Sequence, residues 1–302
     1  MTIQFHGRVA IVTGAGSGLG RSHALGLAAR GAKVVANDLG RNGVPSENAL
    51  KVVEEIRAGG GTAIADPADV ANFEQVSAMA ARAEKDWGRV DILVNNAGVL
   101  RDKTFAKMEM ADFEFVLRVH LIGSANCAKA VWVGMRERNY GRIVLTSSAS
   151  GIYGNFGQAN YGAAKAGMIG LMNVLNLEGV KNDIRVNVLA PTARTGMTEG
   201  LLTPVAAELM TPESVTPGVL FLVSENAPSR VILGAGAGVF AVTHIGETPG
   251  VYLDESERTP ETIAARFAEI SDSATAAPLK DAFSQTMKFV TTAAKAKGLK
   301  LE

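Results

Sequence analysis

The sequence predicts an α/β protein: a doubly wound parallel sheet of about seven strands with a C-terminal helical extension. Three observations carry this reading. Short runs rich in Val and Ile, without polar alternation, recur along the first 250 residues, as strands covered on both faces do. Stretches with helical spacing separate them, and alternating strands and helices imply a parallel sheet with right-handed crossovers. From about Gly246 onward the strand signal stops.

In chain order the runs are RVAIV from Arg8, KVVAN from Lys33, TAIAD from Thr62 (the weakest), VDILVN from Val90, RIVLTS from Arg142, IRVNVLA from Ile184 and GVFAV from Gly238. Between the first two, Gly20–Gly31 has small and apolar residues at helical spacing and a glycine stop; Asn72–Gly88 ends the same way. In the tail, Thr259 and Pro260 open one helix, and residues 278–298 form a second that ends in basic residues. The expected division is residues 1–245 for the sheet domain and 246–302 for the extension. The run Gly234–Gly238 precedes no helical pattern and reads as a flexible connection.

Thirty Lys and Arg balance thirty Asp and Glu in 302 residues, so the formal net charge is zero. That supplies no global attraction to nucleic acid or to an anionic membrane. One cysteine excludes a disulfide framework and a multi-cysteine zinc site. His6, His23 and His244 lack metal-ligand spacing, so no metal is expected. The nearly apolar stretch Val231–Thr243 is too short to cross a bilayer. The N-terminal segment has no signal-peptide pattern. The expectation is a soluble cytoplasmic protein without nucleic-acid or membrane partners.

The strongest local signal follows the first strand. Thr13-Gly14-Ala15-Gly16-Ser17-Gly18-Leu19-Gly20 joins a strand to a helix. Glycines permit a tight turn and let backbone N–H groups approach a pyrophosphate, and the helix N-terminus adds favourable partial charge. This is the context in which a Gly-rich run marks a Rossmann-type dinucleotide site. Asp38, ending the second strand, can accept hydrogen bonds from an adenosine ribose and repels a 2′-phosphate, which favours NAD over NADP. Ser17 is not basic, in agreement, and Arg41 reads as a solvated loop residue. Tyr161 and Lys165 stand four apart, on one face of a helix. A free phenol ionises near 10, and a neighbouring cation lowers that value, so Tyr161 can take a proton from an alcohol or return one to a ketone.

Taken together, the Thr13–Gly20 turn, Asn95-Asn96-Ala97-Gly98, Ser148 and the Tyr161/Lys165 pair resemble the short-chain dehydrogenase/reductase family over roughly residues 7–245. Asn95–Asp102, Arg118–Leu121 and Asn139–Lys165 further resemble the (3R)-hydroxyacyl-CoA dehydrogenase domains of peroxisomal multifunctional enzymes. The resemblance implies an NAD-dependent enzyme acting on an acyl thioester and assembling as a homodimer or homotetramer. It makes Tyr161 the general acid/base, Lys165 the holder of the nicotinamide ribose and Ser148 the orienter of the substrate oxygen. It sets Asn95, Ala97 and Gly98 along the adenosine, Asp69 and Val70 at the adenine, and Pro191, Thr192 and Thr195 around the nicotinamide carboxamide. Gly14, Ser17, Gly18, Leu19 and Gly20 form the phosphate turn. Two departures stand out. His120 occupies the place where many members carry a relay Asn, acting through its ring or its backbone, or merely packed. Thr192 follows Pro191 where Gly is usual.

Other readings stay open at this level. The substrate is either a 3-hydroxyacyl thioester or another small ketone, aldehyde or steroid; a non-catalytic dinucleotide-binding regulator is the alternative of a different class. Cys127 reads as a small core residue. Tyr153, Asn155, Phe156 and Gln158 either line a substrate pocket or pack under a loop. Met197, Leu201 and Leu202 belong to a lid, a subunit contact or ordinary packing.

Overall fold

The computed structural model describes residues 2–194 and 203–301. The chain packs as two units, Met1–Val242 and Thr243–Glu302. Along the first, strands and helices alternate: β1 (Val9–Thr13), α1 (Gly18–Ala28), β2 (Lys33–Asn37), α2 (Glu47–Ala58), β3 (Thr62–Asp66), α3 (Phe73–Trp87) and β4 (Ile92–Asn95). Then come α4 (Met110–Leu117), a π-helical turn (Arg118–Ile122), α5 (Gly123–Glu137), β5 (Gly141–Thr146), α6 (Ala149–Tyr153), α7 (Ala159–Gly179) and β6 (Ile184–Thr192). After the undescribed residues follow α8 (Pro204–Leu209), α9 (Pro212–Leu222), β7 (Ile232–Gly236) and β8 (Val239–Thr243).

The sheet order is β3-β2-β1-β4-β5-β6-β7-β8. The chain steps outward from β1 to β3, then returns past β1 to β4. That reversal opens a crevice at the C-terminal strand ends, where such folds take ligands. The register aligns those ends: Thr13 lies beside Asn37, Asn95 beside Leu145 and Thr146 beside Leu189. The residues that follow each strand, Gly14, Asp38, Asn96 and Ser147, therefore share one edge.

Each face of the sheet carries its own core. Leu27, Val52, Ile56 and Val219, from α1, α2 and α9, pack on Ala10, Val12 and Val34. Met79, Val131, Trp132 and Met168, from α3, α5 and α7, pack on Ile11, Val35, Leu93 and Ile143. Strand residues are apolar in both phases because neighbours cover both faces; burying each Val, Leu or Ile side chain stabilises by about 1.5–3 kcal/mol. Local signals set the helix ends. Asn72 accepts from the Glu74 and Gln75 amides at the start of α3, and Gly88 (φ 80°) closes it in the left-handed region.

Among the described residues the sheet has eight strands where the sequence suggests about seven. The run Gly234–Gly238 is not a loose connection. Its first three residues belong to β7, and Ala237 (φ 50°) with Gly238 (φ 76°) make a two-residue hairpin turn into β8. Glycine is needed inside β7: a Cβ on Gly236 would stand 2.6 Å from the Thr192 carbonyl oxygen of β6. GVFAV is therefore a strand, but one place further out in the sheet.

The second unit contains α10 (Pro260–Ala265), α11 (Phe267–Ile270) and α12 (Ala282–Ala296). The Thr259 and Asp281 side chains cap α10 and α12, and the Asp281 cap explains why the last helix starts four residues later than its sequence pattern. Lys288 of α12 pairs with Glu247 at 2.6 Å. Among the described residues no helix is long and apolar enough to cross a membrane, and no group of three His, Cys, Asp or Glu side chains could hold a metal.

Candidate active site

The turn after β1 is built on bare backbone. Gly14 (φ 62°) and Gly18 (φ 51°) sit in the left-handed region, and α1 begins at Gly18 with Ser17 as its N-cap. A Cβ on Gly20 would meet the Gly14 carbonyl oxygen at 2.1 Å, and one on Gly16 would meet Asp38 Oδ2 at 2.4 Å. Helix α1 can thus close on the turn, and Asp38 can lie against it. The Ser46 hydroxyl donates to Asp38 Oδ2 at 2.6 Å, fixing the carboxylate at the end of β2. Two residues outside the expected set bind the turn to β4. Asn96 donates through Nδ2 to the Thr13 and Gly14 carbonyls, at 3.0 and 3.3 Å, while the Thr13 hydroxyl accepts from the Asn96 and Ala97 amides, each at 3.0 Å. The Asn-Asn-Ala-Gly motif carried that signal, but only the pairing of strand ends assigns the tie to its second Asn. Asn95 itself is buried, with its amide turned to the Ser124 carbonyl.

The remaining residues come from β5, α6 and α7. Ser148 is the N-cap of α6, just beyond β5, its Oγ accepting from the Ser150 amide at 3.2 Å, and its hydroxyl is turned toward the Tyr161 phenol, whose pKa it lowers. Burial raises the Tyr161 pKa above its usual 10, opposed by the Ser148 hydrogen bond and reinforced by the charge of Asp102. The tuning therefore differs from the simple cation effect expected of Lys165. The Lys165 Nζ lies 5.4 Å from the phenol ring centroid and donates to the Thr146 carbonyl at 2.5 Å. It is 3% exposed, and burial pulls the ammonium down to about 7. Ser147 donates to the Lys165 carbonyl, and a Cβ on Gly151 would strike the Lys165 backbone at 2.6 Å. Helices α6 and α7 are thereby locked together, with Ser148 and Tyr161 facing each other.

His120 lies in the π-helical turn, edge-on to Tyr161 with ring centroids 5.2 Å apart. Burial, with the nearby Lys165 charge, drops its imidazole to about 3, so it is neutral at physiological pH. Nε2 faces both the amide and the carbonyl of Val99, at 3.0 and 2.8 Å; which one it pairs with depends on the tautomer. Gly98 makes room for the ring, because a Cβ there would stand 2.2 Å from Cε1. Gly98→Ala is expected to displace His120 and destabilise the fold by about 1–3 kcal/mol, measured as a lower midpoint in urea. An unchanged midpoint would mean that the ring moves freely.

The expected adenine-side residues also reach the sheet edge. Asp69 caps its own turn by accepting from the Ala71 amide, and buried Val70 packs on Gly123. Pro191 and Thr192 end β6; Thr195, Met197, Leu201 and Leu202 lie outside the described residues. Tyr153 and Phe156 are largely exposed, whereas Gln158 joins a hydrogen-bond network. Cys127 is a core residue whose thiol burial pushes up to about 12.

Residues 8–204 match the family model described as short chain dehydrogenase. The chain is 44% identical over 275 residues to "Peroxisomal multifunctional enzyme A" of Dictyostelium discoideum, covering 89% of this chain and 61% of that protein. Among solved structures it resembles the full-length peroxisomal multifunctional enzyme type 2 from Drosophila melanogaster, with TM-score 0.82 and 36% identity over 97% of this chain and 50% of that one. It also resembles a 7 alpha-hydroxysteroid dehydrogenase complexed with NADH and 7-oxo glycochenodeoxycholic acid, with TM-score 0.71 and 31% identity, covering 78% of this chain and 95% of that one. The chain spans less than two thirds of the length of these multifunctional enzymes.

Proposed function

The chain belongs to the short-chain dehydrogenase family, and on that premise we propose that it passes hydride between NAD and a secondary alcohol, with a (3R)-3-hydroxyacyl-CoA and its 3-oxoacyl-CoA as the substrate pair. The observation that supports this most is the grouping of Ser148 and Tyr161 with buried Lys165, whose Nζ lies 5.4 Å from the phenol ring, at the same sheet edge as the glycine turn. The turn suits a dinucleotide: Gly14 and Gly20 leave backbone where a Cβ would fill the cradle, and the anchored Asp38 offers a carboxylate to ribose hydroxyls. NAD, when bound, supplies the hydride acceptor. Ser148 holds the substrate oxygen, and Tyr161 Oη takes the alcohol proton in oxidation or returns it in reduction. Lys165, beside the phenol, holds the ribose. Prearranged hydroxyls stabilise charge developing on oxygen without reorganisation.

The thioester rests on likeness to the multifunctional enzymes. The steroid named for the third neighbour keeps a cyclic ketone as the second reading. A regulator without chemistry is the weaker alternative, because Ser148, Tyr161 and Lys165 are all present and packed together. We take residues 1–245 as the catalytic domain and expect a homodimer or homotetramer. The cytoplasm is our expected compartment, although the relatives' names say peroxisomal, and cell fractionation decides between them.

The test is a panel of 3-oxoacyl-CoA esters of increasing length, small ketones and a 7-oxo steroid, each assayed with NADH and with NADPH. The expected result is thioester turnover that depends on chain length, with NADH preferred because Asp38 repels a 2′-phosphate. Turnover of the steroid alone would replace the substrate assignment, and equal use of NADPH would overturn the role of Asp38.

A further inference from the structure

Ser46 stands eight positions after Asp38, yet the chain returns it to the carboxylate. The return is built into the segment between them. The Gly40 amide donates to the Pro67 carbonyl at 3.1 Å, which tethers the start of the segment beside the end of β3. Arg41 and Val44 then exchange backbone hydrogen bonds at 3.0 and 2.9 Å around Asn42 (φ 52°) and Gly43 (φ 75°). A tight hairpin turn of this kind needs positive φ at both central residues, and Asn-Gly supplies it readily. Pro45 and Ser46 follow, and α2 starts at once with Ser46 as its N-cap. The Ser46 hydroxyl is fixed at both ends. Its oxygen accepts from the Ala49 amide at 3.1 Å, and its proton goes to Asp38 Oδ2 at 2.6 Å. An ionised carboxylate only accepts, so the direction of that bond is set. On its other side Oδ2 lies 2.4 Å from where a Cβ on Gly16 would stand, so it is confined between the helix cap and the glycine turn. Among the described residues, Ser46 is the one side chain bonded to this carboxylate, which leaves Oδ1 to accept from a ligand.

We propose that Ser46 is a positioning residue for cofactor choice: by pinning Oδ2 it keeps Oδ1 available to the adenosine ribose, so that selectivity for NAD over NADP depends on this hydroxyl as well as on Asp38. The inference rests on the reading of Asp38 as the ribose acceptor. A half-buried carboxylate that is free to turn pays rotamer freedom when it binds a hydroxyl; one already held by a serine does not. The same restraint keeps the negative charge from swinging away from the position a 2′-phosphate would take. Discrimination then comes from two sides, a ribose bond made ready and a phosphate repelled. The Asn-Gly turn and the helix cap are what bring the hydroxyl to that place, so the segment after β2 carries part of the specificity that the strand-end carboxylate expresses.

The test is fluorescence titration with NADH and with NADPH, paired with kcat and KM for each, in wild type, Ser46→Gly, Ser46→Thr, Asp38→Ala and the double variant Ser46→Gly/Asp38→Ala. Glycine is itself a favoured N-cap, so α2 keeps its start while the donor is lost. Ser46→Gly is expected to weaken NADH binding about tenfold and to narrow the preference for NADH over NADPH by a similar factor. The loss should fall on KM for NADH rather than on kcat. Threonine keeps both cap and donor and should retain the wild-type preference. With Asp38 already replaced by alanine, Ser46→Gly should move the preference no further. A wild-type preference in Ser46→Gly, or a shift of equal size with and without the Asp38 carboxylate, overturns the role of Ser46. So does an equal loss of affinity for both cofactors, which is what a frayed helix start alone would give. An Asp38→Ala variant that keeps the wild-type preference would instead overturn the reading of Asp38 beneath it.

Discussion

Tyr161→Phe is expected to lower kcat by about 10³-fold or more while leaving NADH affinity near wild type. The substitution removes one oxygen and keeps the ring. The edge contact with His120, 5.2 Å between centroids, is therefore kept, and the loss falls on the hydroxyl that meets Ser148. A single lost hydrogen bond of this kind costs the fold only about 1 kcal/mol, so a lower rate cannot be assigned to unfolding. No part of the glycine turn or of the Asp38–Ser46 contact involves Tyr161, so dinucleotide binding should survive. Steady-state rates paired with NADH fluorescence titration separate the two effects. A rate within a few fold of wild type would end the acid/base assignment, whereas loss of both rate and NADH binding would mean that Tyr161 acts through the cofactor's seat.

How much of this was legible beforehand follows from the range of the interactions. Strands β1, β2, β4, β5 and β6 are read directly from Val and Ile runs, because burial on both faces writes itself into consecutive residues. The glycine turn and the i, i+4 pair Tyr161/Lys165 are local, and each motif carries its own geometry. Strand β7 was hidden because packing against Thr192 requires glycine where a strand usually shows β-branched residues. The π-helical turn at Arg118–Ile122 leaves no periodic signature in five residues. The tie between Asp102 and Gln158 spans 56 positions, and that between Thr13 and Asn96 spans 83. Both follow from strand order rather than from spacing. Motif reading likewise assigned Lys165 a cation's role but could not register how deeply the helix buries it.

That burial carries the last prediction. Lys165→Met is expected to abolish turnover and yet to make the folded chain more stable at neutral pH. The ammonium is 3% exposed and has the Thr146 carbonyl as its hydrogen-bond partner, and burial holds its pKa near 7 against an ordinary 10.5. Between those two values the unfolded chain binds more protons than the folded one, so wild-type stability rises as pH rises through this window. At pH 7 and below, nearly the full cost of burying the charge is present, on the order of a few kcal/mol. Methionine fills a similar volume without a charge and lacks the titration. The variant's advantage in urea should therefore be largest below pH 7 and should shrink steadily toward pH 10, while its rate stays negligible throughout. A variant less stable than wild type at pH 7 would show that the Thr146 contact outweighs the desolvation of the ammonium. The lysine would then be a structural anchor rather than a charge held at the site against the stability of the fold.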